Sequence, residues 1–410
     1  MNPEHSLHVK YCHTQNLISV GRLALIDRKI FFEYSPTFLE QGLQLSPFKL
    51  PLGSGVISCQ EQVFEGLFGV FNDSLPDGWG RLLLDRKLIS LGINPASLTP
   101  LDRLKYVGTR GMGALRYEPE MTGIIPKKRQ VELDILAEEC WQFQENEEVQ
   151  YIDDLLSMNG SSAGARPKIL VSIDPQSHKF LRSDNNVSHP HNDWIVKFRS
   201  AVDPKDAGPI EYAYHLMALE AGLDVPEAKL FKSRIGPGHF GVKRFDRTHD
   251  AFFHVHTLSG LLHADYRIPS LDYETVLKAT YIITKSRYQL EKQFRNATFN
   301  VFSHNRDDHA KNFSFIMDGV GVWSVSPAYD LTFSSGPGGE HCTMLMGNGK
   351  NPGTADLLRL ARGIKIDERR AKEIIDEVKE SISKWKLFAS IANVSQPSSK
   401  MIHTLLKKAL

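Results

Sequence analysis

The sequence predicts an α+β protein of three consecutive units: a small α+β unit over residues 1–120, a β-rich lobe over 121–248 and an α-helical lobe over 249–410. Three observations predict it. At 410 residues the chain exceeds one ordinary domain and can build two or three packed units. Strand-like apolar runs concentrate before Asp250. Apolar residues at helical spacing dominate after it.

Across residues 8–34, short apolar runs such as Ile30, Phe31 and Phe32 alternate with turn-forming polar residues, which predicts a small antiparallel sheet. Residues 63–71 carry apolar side chains at near-helical spacing, and after the break at Pro76, Asp77 and Gly78 a second amphipathic helix is predicted over 79–91. Residues 1–120 thus read as a self-contained unit. An acidic helix over 132–148 and a helical stretch over 152–158 lead into the small-residue segment 159–165. Strands are predicted over 169–173 and 194–198, a helix over 211–221, and strands over 228–231 and 241–245, which makes a small sheet with one packed helix. Residues 184–192 read as a hairpin loop and 334–339 as a mobile Gly/Ser-rich segment. Helices are predicted over 273–285, 288–304, 354–362 and 367–388.

Composition narrows the function classes. Hydrophobic residues make up 41% and charged residues 24%, with a formal net charge of +1, so the Lys/Arg excess that usually carries non-specific phosphate binding is lacking. Cys12, Cys59, Cys140 and Cys342 are scattered without a CxxC, which predicts reduced thiols rather than a zinc site or a disulfide framework. The N-terminus lacks the pattern of a secretory signal and no apolar run approaches about eighteen residues. A cytoplasmic protein without membrane contact is expected.

The stretch Asn305, Arg306, Asp307, Asp308, His309, Ala310, Lys311, Asn312 lies between a predicted helix and the apolar run Phe313 to Ile316. Phosphoryl transfer to a hydroxyl needs a carboxylate near the nucleophile and, shortly after it, an oxygen ligand for Mg²⁺ that adds no further charge. Asp307, with Asn312 five positions on, meets that need and has the Asp-to-Asn separation of a protein-kinase catalytic loop. Asp330, beside a short strand, stands where a kinase places its second metal-binding carboxylate. Taken singly, either Asp is equally a turn or helix-cap residue; together they keep order and distance. His309 is a site residue or a loop-orienting one, and Lys311 is placed to meet the transferring phosphate.

Upstream, Ser161 to Lys168 reads Ser-Ser-Ala-Gly-Ala-Arg-Pro-Lys before a strand, and small side chains let backbone N–H groups approach phosphate oxygens. It matches neither common glycine-loop pattern, so a flexible linker stays open. Lys197 sits inside the apolar run Trp194, Ile195, Val196, Phe198. A lysine there wants a carboxylate or phosphate partner, unless the strand is an edge with its ammonium in solvent. Glu211, or else Glu220, is the candidate ion-pair partner.

With these residues in place, the chain resembles the HipA family of bacterial kinase toxins from near the N-terminus to beyond Asp330. Phe71 to Gly80 (FNDSLPDGWG) is similar to the family's N-terminal signature, Gly164 to Lys168 to its glycine-loop segment, Val242 to Arg247 (VKRFDR) to its hinge and Asn305 to Asn312 to its catalytic loop. The resemblance implies a bilobal protein-kinase-like fold with an added N-terminal subdomain, and an enzyme that phosphorylates protein serine or threonine with ATP and Mg²⁺. It further implies a helix-turn-helix, HipB-like antitoxin, contact with DNA through that antitoxin, and a translation component such as an aminoacyl-tRNA synthetase as substrate. Carried over by motif, Asp307 is the catalytic carboxylate with Lys311 beside it, and Asn312 and Asp330 hold the metal. Ser162, Ala163, Gly164, Ala165, Lys197, Lys243, Phe245 and His309 meet the nucleotide, and Ser161, with Ser162 as the alternative, is the autophosphorylated serine. Two residues depart from the pattern: Lys243 stands where some members carry Glu, and Ala163 where Gly is frequent.

Two other classes compete. His304, Asp307, Asp308 and His309 cluster like the ligands of a metal-dependent phosphohydrolase, in a chain with sixteen histidines. A catalytically silent antitoxin-binding co-repressor is the third reading, against which Asp307, Asn312 and Asp330 argue.

Overall fold

The computed structural model describes residues 6–14, 16–121, 130–145, 152–159, 164–183 and 192–410. Near the N-terminus, strands Ser6–Cys12, Leu17–Ile26, Lys29–Tyr34, Val56–Ser58 and Leu115–Glu118 form one antiparallel sheet, with Ser6–Cys12 between Leu17–Ile26 and Leu115–Glu118. Period-two alternation buries Leu7, Val9 and Tyr11 on one face while His8 stays exposed. Residues 63–71 depart from the expected helix. Glu65 and Gly66 take positive φ and turn the chain, so only Gly69–Asn72 is helical, and Phe68 and Phe71 pack on Phe32 of the sheet.

The second sheet has six antiparallel strands in the order Ala228–Phe231, His239–Lys243, Asp193–Lys197, Lys168–Ile173, Phe180–Arg182, Gln130–Val131. Helix Ala207–Glu220 connects two of them and packs against the sheet. The loop expected over 184–192 falls, up to residue 191, outside the described residues.

Beyond Asp250 the chain is largely helical, through Tyr273–Thr284, Arg287–Phe302, Thr354–Gly363, Glu368–Ser383, Trp385–Ile391 and Gln396–Ala409. The stretch expected as one helix over 367–388 is two, divided at Lys384. A three-stranded sheet, His254–Thr257, Ser314–Met317 and Trp323–Val325, also lies here, its strands too short for a clear period. Its middle strand follows the polar stretch 305–312 and fixes where that loop ends. The Gly/Ser-rich segment 334–339 is tied down rather than free: Ser334 donates to the His304 carbonyl at 3.0 Å, and the Arg306 guanidinium donates to the Gly339 carbonyl.

Two apolar cores hold the molecule together. One runs without interruption from the N-terminal unit (Val9, Phe32, Phe71) through Tyr214 and Met217 of helix Ala207–Glu220 to Phe294, Phe299 and Trp385 of the helical lobe. The other joins Trp79, Leu83 and Leu88 of helix Gly78–Ser90 to Phe143, Leu155 and the strand residues Ile169, Val171, Trp194 and Val196. The N-terminal unit therefore gives its helix to the core of the β-rich lobe. All four cysteines are free thiols, and no helix among the described residues is long and apolar enough to cross a membrane.

Candidate active site

The six-stranded sheet, the helical lobe and the loop before helix Gly78–Ser90 enclose a cavity of about 860 Å³. Gly164, Ala165, Lys197, Lys243, Phe245, Asp307, His309, Lys311, Asn312 and Asp330 all line it. Ser161, Ser162 and Ala163 lie outside the described residues.

Lys197 ends the strand Asp193–Lys197 with its side chain turned under the cavity floor, and its Nζ donates to Glu211 Oε1 at 2.5 Å and to Asp330 Oδ1. Glu211 is carried there by the first turns of helix Ala207–Glu220, whereas Glu220, at the far end of that helix, pairs with Lys384 at 2.8 Å. Burial alone would depress the Lys197 ammonium; the Asp330 and Glu211 carboxylates outweigh it and raise it above the ordinary lysine value. Burial likewise works against ionised Asp330, but Lys197 and Lys168 hold its carboxyl well below the usual carboxylate range. Asp330 takes a positive φ of 54°, a conformation that aspartate tolerates better than most residues.

The loop over residues 305–312 is pinned from behind. Asp308 is fully buried and accepts hydrogen bonds from the Tyr273 hydroxyl (2.6 Å), His341 Nδ1 (2.9 Å) and the Thr343 N–H (3.2 Å). Its neighbour Asp307 is left facing the cavity with a side chain 60% exposed. Protein packed around the cavity mouth, reinforced by Asp330, raises the Asp307 carboxyl above its ordinary value, and His309, 4.0 Å away, draws it down. Asn312 donates its amide N–H to the Asp307 carbonyl at 2.6 Å, which leaves its amide oxygen as an acceptor on the cavity wall.

Lys311 points elsewhere than at the cavity centre. Its buried Nζ lies 2.6 Å from Asp77 Oδ2 and 4.4 Å from the centre of the Tyr266 ring. Burial opposes its charge, and Asp77 and Tyr266 more than restore it. His309 also stands beside Tyr266, ring centres 5.7 Å apart, with Nδ1 buried and without a hydrogen-bond partner among the described residues. The ammonium of Lys243 turns outward to Glu227 at 3.4 Å. Phe245 packs on Tyr329 with ring centres 5.6 Å apart.

Sequence reasoning assigned no role to Asp77, although it lies inside the quoted N-terminal signature, and no nucleotide role to Lys168. Lys168 is buried on the cavity wall, where burial lowers its pKa against the pull of Asp330. Its place at the end of the small-residue segment and the start of a strand was the available signal. The clustering of His304, Asp307, Asp308 and His309 along the chain does not become a ligand set: Asp308 is taken up by its three donors, and no group of three or more His, Cys, Asp or Glu that could hold a metal occurs among the described residues.

Comparison with known proteins follows this geometry. The Sinorhizobium fredii protein "Putative kinase Y4dM" is 26% identical over 208 residues, 47% of this chain and 50% of that protein, so the match spans about half the relative's length. HipA of Shewanella oneidensis MR-1, solved as a complex of HipA, HipB and operator DNA, superposes with a TM-score of 0.70 at 17% identity, covering 98% of this chain and 96% of that one. At that identity the likeness is one of fold, and the fold is the bilobal, protein-kinase-like one with an N-terminal addition. The family models described as HipA N-terminal domain and HipA-like C-terminal domain match residues 14–118 and 160–385, and the chain belongs to the HipA family.

Proposed function

We propose that this chain is an ATP-dependent serine/threonine protein kinase that acts as a growth-arresting toxin. The observation that carries the reading is Lys197 held between Glu211 and Asp330 on the floor of the cavity that Asp307 and Asn312 also line. A lysine so fixed is placed to meet nucleotide phosphates, with Lys168 as a second cation beside it and Lys243 to Phe245 along the adenine end. The acceptor hydroxyl attacks the γ-phosphorus, the bond to the β–γ bridging oxygen breaks, ADP leaves, and Asp307 takes the hydroxyl proton.

Asp330 and the Asn312 amide oxygen fit a Mg²⁺ whose remaining ligands are phosphates and water, a sphere that needs no protein cage. When bound, that ion would offset charge developing between the β- and γ-phosphates. The HipB and operator DNA in the Shewanella structure support a HipB-like helix-turn-helix antitoxin here, with DNA reached through it. An aminoacyl-tRNA synthetase is the proposed substrate class. Phosphorylation of Ser161, or of Ser162, would add about −1.5 to −2 charges within three positions of Gly164 along the chain and weaken ATP binding.

Phosphoproteomics after brief induction, comparing wild type with Asp307→Ala and Asp330→Ala, tests the reading. Wild type should arrest growth, phosphorylate one synthetase, carry phosphate on Ser161 and leave one tRNA species uncharged. Both variants should lose transfer, and Asp330→Ala should also bind Mg-ATP more weakly. Near-normal transfer by either variant sinks the residue assignment. Unchanged charging of every tRNA during arrest removes the synthetase, and phosphate release that needs no protein acceptor favours a hydrolase.

A further inference from the structure

Asp77 stands at the start of helix Gly78–Ser90, where an aspartate ordinarily caps the helix, yet its side chain makes no cap. Both of its oxygens serve other segments. Oδ1 accepts from the Gly164 N–H at 2.5 Å and Oδ2 from the Lys311 ammonium at 2.6 Å. Burial disfavours the charge, but Lys311 and the Gly164 N–H hold the carboxyl below its ordinary value.

The adjoining backbone completes the grip. The Trp79 N–H donates to the Gly164 carbonyl at 3.1 Å, so Gly164 is held through its donor and its acceptor by residues at the start of one helix. A Cβ at Gly78 would lie 2.6 Å from the Gly164 oxygen and 2.8 Å from Ala165 Cα, so the fit also depends on glycine at 78. From Lys311 the connection continues: its carbonyl accepts from the Tyr329 hydroxyl at 2.5 Å, and Tyr329 precedes Asp330.

We propose that Asp77 is a positioning residue that registers Gly164 of the nucleotide loop against Lys311 of the catalytic loop, so that nucleotide affinity depends on a contact supplied by the N-terminal unit. The proposal rests on the kinase reading of the cavity. It also gives Lys311 a part other than direct contact with phosphate: its ammonium is the catalytic loop's half of the clasp. Removing the charge at 77 weakens both links at once and leaves Gly164 only the Trp79 N–H, whereas removing Lys311 cuts the catalytic loop's link alone.

Two measurements on the full chain decide it: Mg-ATP titration by calorimetry, and hydrogen exchange of the backbone over residues 164–168 in the nucleotide-free protein. Asp77→Asn should weaken Mg-ATP binding about tenfold, the scale of one lost charge-assisted hydrogen bond, and speed exchange at Gly164 and Ala165 while Val171 in the adjoining strand stays protected. Asp77→Glu should recover part of the affinity, and Asp77→Asn combined with Lys311→Met should bind no more weakly than the weaker single variant. Gly78→Ala, which keeps the carboxylate but presses on Gly164, should mimic Asp77→Asn. Wild-type affinity and exchange in Asp77→Asn overturn the clasp, as does loss of protection spread through the strand, which would mark Asp77 as part of the general scaffold. A wild-type chain that binds no Mg-ATP overturns the kinase reading instead, and exchange in the nucleotide-free protein still judges the clasp on its own.

Discussion

Asp307 shows what its surroundings do to one carboxyl. In the proposed kinase Asp307 is the base, which works only when deprotonated, so activity should fall as pH drops through its pKa, and the raised pKa should place that acid limb of kcat/KM above the ordinary aspartate value of about 4. Because His309 draws the pKa down, His309→Gln should move the limb to still higher pH, which a pH profile of the variant would show; an unmoved limb would mean that another group sets it. At this scale the sequence was readable where spacing along the chain brings residues to one cavity, as with Asp307, Asn312 and Asp330, which all line it. It was silent where the role is a contact between distant segments: Asp77 and Lys311 are 234 positions apart, and nothing local marks either as the other's partner.

The segment over residues 242–247 is fastened by charge as much as by strand pairing. Asp246 is fully buried, accepts from Arg244 at 2.8 and 2.5 Å, and accepts the Gly113 N–H of the N-terminal unit at 2.8 Å, while Arg247 pairs with Asp193 at 2.9 Å. Burial opposes ionised Asp246, but Arg244 and Arg247 hold its pKa far below the ordinary value. A depressed carboxylate contributes stability that is present above the unfolded-state pKa of about 4 and is lost as pH falls toward the folded-state value. Asp246→Asn should therefore cost about 3 kcal/mol at neutral pH, the scale of a broken buried pair, and flatten the acid decline in thermal stability. Equal melting temperatures for variant and wild type at neutral pH would contradict this. The element type was legible here from apolar alternation. It failed over residues 63–71, where two left-handed residues outweigh helical spacing, and over 367–388, where continuous spacing conceals a break at Lys384.

At the scale of the molecule, the order of units was legible because periodicity changes along the chain, but their mutual dependence was not, because no local pattern says which core a helix joins. Trp79, Leu83 and Leu88 leave the β-rich lobe's core incomplete if the N-terminal unit is removed, and the other core runs from Val9 to Trp385. Residues 121–410 expressed alone should accordingly fail to fold cooperatively, whereas the full chain should unfold without an early transition of the N-terminal unit. Calorimetry of both would check this, and a soluble, nucleotide-binding fragment would disprove it.

The uncommitted start of helix Gly78–Ser90 has a practical meaning for redesign. Serine caps a helix about as well as aspartate does, so an engineer ranking substitutions by capping preference alone would accept Asp77→Ser as neutral or favourable. The variant would gain a cap but leave the buried Lys311 ammonium without its carboxylate and the Gly164 N–H without its anchor. Position 77 is thus one where local helix preference and working geometry part company, and a choice made from capping statistics would retain the sequences that a nucleotide-binding screen discards.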